Sequence, residues 1–135
     1  GQPAIRLEAA ARRHGRAATP DLPFDSKERD GLLCIDWSRA FSMLADRQAT
    51  RSRETAWAMA VHRAVAGAAA TMVDYGLGKS KERTVALSGG VFMNTILNDL
   101  LVSELEKRGL EVLIHRQTPP NDGCIALGQA VAAGR

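Results

Sequence analysis

Thr84-Val85-Ala86-Leu87-Ser88-Gly89-Gly90-Val91-Phe92-Met93-Asn94 reads as strand, turn and helix in succession. Four residues of strand character lead into a Ser-Gly-Gly turn, and an apolar-periodic helix is expected to follow at once. Two adjacent glycines let the backbone pass close to a ligand, because no Cβ stands in the way. A helix start aims unpaired N–H groups and its positive end at the turn, which suits an anionic or nucleotide ligand. Gly-Gly is equally an ordinary strand-to-helix connector, and the turn alone does not choose.

Downstream, Met93, Ile96, Leu97, Leu100, Leu101 and Leu105 fall on one helical face. Lys107 and Arg108 suit the negative end of that helix, and Gly109 stops it. Glu111-Val112-Leu113-Ile114 is the next strand, so residues 84–114 form strand, helix, strand, with a crossover long enough for a parallel pair. Pro119-Pro120 then breaks the chain. Asn121 or Asp122 caps a last helix over 123–133, whose Gly128 and Ala132 offer a small-residue stripe for close packing.

Upstream, residues 4–13 read as helix with a stop at Gly15, and residues 17–30, with Pro20 and Pro23, as loop. Leu32-Leu33-Cys34-Ile35 is a short apolar run expected as a buried strand, and Asp36 caps a helix from Trp37. Ser52 caps a longer helix with Trp57, Ala60, Val61, Ala64, Val65, Ala68 and Met72 turned inward. Gly76 and Gly78 end it, and 79–83 is a charged connector.

The 135 residues fit one domain, 1–135, with a real core. Apolar residues make up 45%, but no run reaches membrane-spanning length. Gly1-Gln2-Pro3-Ala4 does not read as a secretory leader, and the missing initiator Met suggests a processed chain or a piece of something longer. A charge of +3, arginines scattered among acids and 4% aromatics give no indication of nucleic-acid binding. Cys34 and Cys124 lie far apart without a CxxC, which reads as reduced, buried thiols in a cytosolic protein.

Two turns then share the carboxyl edge of the parallel pair, Ser88-Gly89-Gly90 and Asn121-Asp122-Gly123. Open α/β sheets bind ligands at that edge. Asp122 is either a hard metal ligand or the cap of the last helix, with spacing favouring the cap. Asn94 either reaches a ligand on the turn or satisfies the helix end. His14, His62 and His115 show no metal-ligand spacing and read as structural or surface residues. Ser88 lacks a GxSxG context and a nameable base, and neither Walker A nor GxGxxG is present.

Leu87-Ser88-Gly89-Gly90-Val91-Phe92-Met93-Asn94 together with Pro119-Pro120-Asn121-Asp122-Gly123-Cys124-Ile125-Ala126-Leu127-Gly128-Gln129 closely resembles the C-terminal end of the HypF family. These are the carbamoyltransferases of nickel–iron hydrogenase maturation. Gly1-Gln2-Pro3-Ala4-Ile5-Arg6-Leu7-Glu8 is similar to the family's GQAAxxLE segment, and 33–37 and 61–63 sit where it has similar strings. The resemblance implies an α/β fold: a partial ribonuclease-H-like, actin-like ATPase lobe with a small parallel sheet flanked by helices. It implies chemistry in which carbamoyl phosphate and ATP give carbamoyl-adenylate, whose carbamoyl group passes to the C-terminal cysteine of the partner HypE. Carried over by position, Gly89 and Gly90 face the nucleotide, Asn94 contacts its adenosine and Gly1 lies near the ribose. Asp122 would ligate a divalent metal, iron or magnesium. The relatives' HxxxH metal pair, first phosphate-binding hairpin, zinc-finger, YrdC-like and acylphosphatase regions fall outside this chain. Half a cleft is therefore expected, inactive alone, with a non-catalytic nucleotide- or partner-binding module as the alternative. Cys124 stands where the family commonly has glycine.

Overall fold

The computed structural model describes residues 1–15, 17–46, 53–78 and 80–134. Its elements are α1 (Gln2–Arg12), β1 (Asp25–Arg29), β2 (Leu32–Asp36), α2 (Ser38–Ala45) and α3 (Glu54–Leu77). β3 (Thr84–Leu87), α4 (Thr95–Lys107), β4 (Glu111–Ile114) and α5 (Ile125–Ala133) follow, with 3-10 turns at Gly90–Met93 and Asp122–Cys124. The expected cap at Ser52 lies outside the described residues.

α3 is the hub. Its buried positions are Ala56, Ala58, Ala60, His62, Ala64, Ala66, Ala68 and Ala70. This is wider than the single stripe expected from period 3.6, because three groups of residues pack around one helix. Ala58 meets Ala10 and Ala11 of α1; Ala60 and Ala64 meet Leu22 and Ala40; Ala66 and Ala70 meet the leucines of α4 and Leu87. Alanine allows close approach on every side without a helix-propensity cost. Val65 and Met72, expected inside, are 37% and 52% exposed. Gly78, at φ +48°, ends the helix as its position suggested.

α4 buries Leu97, Leu101 and Leu105 against α3 and β3. Met93, expected on the same face, lies in the preceding 3-10 turn and is 53% exposed. β3 and β4 pair in parallel with Thr84 opposite Glu111 and Leu87 opposite Ile114, as the strand–helix–strand reading requires.

The 17–30 segment is not all loop. β1 and β2 form an antiparallel hairpin through Asp30 and Gly31, at φ +52° and +75°. An Asp-Gly pair with both residues at positive φ is the preferred two-residue hairpin turn, and this signal was readable in the sequence. The hairpin is a surface ribbon rather than a buried strand: Leu32 is exposed and burial alternates along β2. Tyr75 Oη donates to Gly31 O at 2.9 Å and pins the turn to α3. Cys34 is accordingly exposed and Cys124 half-buried, so neither is the buried thiol expected. Asp36 acts near its anticipated place, its Oδ1 accepting from Ser38 N at 2.8 Å at the start of α2. α5 packs little: all its residues are exposed, including Ile125, Leu127 and Val131, so its small-residue stripe meets no close neighbour among the described residues.

Candidate functional site

The two turns singled out at the strand ends are neighbours. Gly89 N donates to Pro120 O at 2.6 Å. A Cβ built on Gly90 would lie 3.9 Å from Asn121 Cβ. The Ser-Gly-Gly and Pro-Pro-Asn-Asp-Gly segments therefore form one rim, at the carboxyl ends of β3 and β4. Gly89 has φ +114° and ψ 158°, a region open essentially to glycine alone. A Cβ there would meet nothing within 4 Å, so its flank is open.

The helix does not follow the glycines at once. The 3-10 turn intervenes, with Phe92 N bonded to Gly89 O at 3.1 Å and Asn94 N to Val91 O at 3.1 Å. α4 starts at Thr95, and two of its first three N–H groups are already engaged. Leu97 N donates to Asn94 Oδ1 at 3.0 Å, and Thr95 N donates to Glu8 Oε1 at 3.1 Å. The carboxylate of Glu8, from α1, thus already occupies the positive end of α4. Glu8 also accepts from Arg12 at 2.7 Å and from the Thr95 hydroxyl at 3.2 Å, and Arg12 donates to Thr95 Oγ1 as well. Burial pulls the Glu8 carboxyl upward, but the hydrogen bonds from Arg12 and Thr95 outweigh it and hold its pKa below the ordinary value.

Asn94 does more than cap. Its Nδ2 lies 2.8 Å from His62 Nε2, and His62 Nδ1 lies 2.7 Å from Ala58 O. A carbonyl only accepts, so the His62 proton sits on Nδ1 and Nε2 accepts from the Asn94 amide. The amide is thereby oriented from both ends, by Leu97 and by a histidine that is 4% exposed. One amide N–H and one Oδ1 lone pair remain for an outside partner. His62 is structural, as expected; so is His14, buried with Nε2 2.9 Å from Ala17 O and 3.0 Å from Thr19 Oγ1.

Asn121, not Asp122, is the cap at the other turn: its side chain accepts from Gly123 N at 3.0 Å. Asp122 is left exposed on the rim, its carboxylate without a hydrogen bond or ion pair among the described residues. The same residues contain no group of three or more His, Cys, Asp or Glu side chains placed to hold a metal ion. A metal needs several donors at once, so the described residues do not build a metal centre. Gly1 precedes α1, about 10 Å of helix rise from Glu8. No hydrogen bond joins it to the glycine rim among the described residues.

The sequence alone names no base beside Ser88. The fold supplies one: His115 Nε2 lies 3.0 Å from Ser88 Oγ. The signal was available once the parallel register was known, because Leu87 opposite Ile114 sets residues 88 and 115 side by side.

Comparisons with known proteins agree with this architecture. Residues 1–129 match the family model described as carbamoyltransferase, Kae1-like domain, second subdomain. The carbamoyltransferase HypF of Synechocystis is 32% identical over 98% of this chain, which covers 16% of that protein. A HypF homolog of Cupriavidus necator is 34% identical over 99% of the chain, covering 34% of the relative. A crystal structure of full-length HypF in the phosphate- and nucleotide-bound form superposes with a TM-score of 0.78 at 27% identity, over 98% of this chain and 17% of that one. HypF of T. kodakarensis shares the fold at TM-score 0.69 and 23% identity, over 98% of this chain and 16% of that one. The chain thus spans between a sixth and a third of the length of these proteins. Among the described residues, no helix is long and apolar enough to cross a membrane. The chain belongs to the HypF carbamoyltransferase family and corresponds to the second subdomain of its Kae1-like domain.

Proposed function

We propose that this chain is the C-terminal lobe of a HypF-type carbamoyltransferase and forms one wall of a nucleotide cleft. The observation that carries the reading is the Gly89–Pro120 hydrogen bond, which joins the two turns into one rim at the carboxyl edge of a parallel pair. Gly89 and Gly90 present bare backbone to the ligand. Asn94, its amide held by Leu97 and His62, offers its free N–H and lone pair to the adenosine. Gly1 is the more remote contribution, on the ribose side. In this reading the nucleotide is ATP, or the carbamoyl-adenylate made from ATP and carbamoyl phosphate. The carbamoyl group passes to the C-terminal cysteine of a HypE-like partner.

Asp122 contributes a single carboxylate to a divalent metal, iron or magnesium, whose other donors come from outside this chain. Its freedom from capping supports that role. The protein's own work at this wall is to bind and orient the nucleotide. The isolated chain is inactive, because one wall does not enclose a reaction. The exposed Leu113 on the small sheet and the bare apolar α5 fit a lobe that packs against further chain. Parallel sheets are ordinarily covered on both faces.

Nucleotide binding by the longest natural polypeptide carrying this chain tests the assignment. Asn94→Ser keeps a helix cap but withdraws the amide, and Asp122→Ala removes an exposed group with no structural partner among the described residues. Each is expected to weaken ATP binding about tenfold. Unchanged affinity in both variants refutes the site.

A further inference from the structure

Ser88 leaves β3 one residue before the Gly89 bend, and His115 leaves β4 directly beside it. His115 uses both ring nitrogens: Nε2 is 3.0 Å from Ser88 Oγ, and Nδ1 is 3.1 Å from Thr118 Oγ1. The result is a chain of hydroxyl, imidazole and hydroxyl along the rim. Ser88 and His115 are exposed and Thr118 half-buried, so core packing does not call for this arrangement.

We propose that His115 is a positioning residue that fixes the Ser88 hydroxyl as a hydrogen-bond donor to a phosphate oxygen of the nucleotide at the Gly89–Gly90 bend. The inference rests on the nucleotide reading above and adds to it a named phosphate contact and the residue that orients it.

The polarity of the chain follows from the imidazole. A neutral ring has one donor and one acceptor. If Nδ1 donates to Thr118, Nε2 must take the Ser88 proton, and Ser88 shows a ligand only lone pairs, which repel an anion. In the opposite polarity Thr118 donates to Nδ1, the Nε2 proton goes to Ser88 Oγ, and the Ser88 O–H is free to point outward. An anion selects the second arrangement. A hydroxyl held in this way loses little freedom on binding, and a hydrogen bond to a charged acceptor is among the stronger ones. A fixed side-chain donor adds to a bend several of whose backbone N–H groups are already engaged. The α4 end, which would ordinarily serve an anion, has Thr95 N–H on Glu8 and Leu97 N–H on Asn94, and the Gly89 N–H is spent on Pro120.

The test uses the longest natural polypeptide carrying this chain, with calorimetric titration of a non-hydrolysable ATP analogue and, separately, of adenosine. The variants are Ser88→Ala, His115→Gln and His115→Asn. A glutamine amide reaches where Nε2 stands and preserves the contact to Ser88; an asparagine amide reaches only where Nδ1 stands and preserves the contact to Thr118. Ser88→Ala and His115→Asn are expected to weaken the ATP analogue about tenfold and leave adenosine unchanged, while His115→Gln stays within about threefold of the parent. Wild-type affinity in His115→Asn overturns the proposal, as does an equal loss for adenosine, which would mark a general disturbance of the rim. If the parent binds neither ligand, the nucleotide site itself falls and this inference with it.

Discussion

Replacing Asn94 with alanine should destabilise the chain for two separable reasons. The first is the lost cap, since Asn94 Oδ1 takes the Leu97 N–H at 3.0 Å. Losing a side-chain N-cap costs about 1 kcal/mol. The second is the stranded His62: its Nε2 receives the Asn94 amide at 2.8 Å and the residue is only 4% exposed. A buried acceptor left without a partner costs about 1–2 kcal/mol. Together Asn94→Ala should lose about 2.5 kcal/mol, or roughly 10 °C in Tm for a chain of this size. Asn94→Ser separates the contributions, because serine caps about as well but is too short to reach His62. It should lose only about 1.5 kcal/mol. Urea unfolding of the 135-residue chain, followed by the fluorescence of Trp37 and Trp57 beside the α2–α3 cluster, measures both. A loss under about 0.5 kcal/mol for Asn94→Ala would show that the Ala58–His62–Asn94–Leu97 chain is not formed. Equal losses for Ala and Ser would show that His62 is indifferent to its neighbour.

Glu8 links α1 to the start of α4 with a depressed carboxyl pKa, so its contribution is fully present above the unfolded carboxyl's value of about 4.3 and fades as pH falls through the lower folded value. Glu8→Gln should therefore cost about 0.5–1 kcal/mol at pH 7 and almost nothing near pH 2.5; a pH-independent difference in urea midpoint would contradict the charge-based reasoning. Gly89→Ala forces a side chain into φ +114° and should cost about 1–3 kcal/mol, whereas Gly90→Ala, at ordinary φ with a 3.9 Å contact, should cost under about 0.5 kcal/mol; thermal melts that reverse this order would place the strained residue wrongly.

Local pattern reached far into this molecule. The β3–α4–β4 unit is legible from Thr84 to Ile114 because strand period, helix period and the Gly109 stop agree with one another. The resemblance of 87–94 and 119–129 led to the family, since both strings carry side chains tied to one rim. The inward face of α3 was less legible. Period 3.6 describes a helix with one buried side, and alanine is neutral enough to be buried on any of them. Hydrophobicity turns Val65 and Met72 inward, but no neighbour among the described residues covers them fully. The Asp30-Gly31 pair is a local hairpin signal, but Pro20 and Pro23 just before it give the 17–30 segment the look of a loop.

What the sequence by itself determined is the class of backbone at each key position. Glycine at 89 permits φ +114°, and the strand and helix periods impose a parallel pair. What only the tertiary structure decided is which polar groups remain uncommitted. Composition cannot show that Glu8 reaches 87 residues along the chain to Thr95, that Asn121 rather than Asp122 caps its turn, or that His115 stands beside Ser88. A side chain's hydrogen-bonding capacity is set by its own atoms, but the partner that uses it is set by packing, and partners distant in sequence leave no local trace.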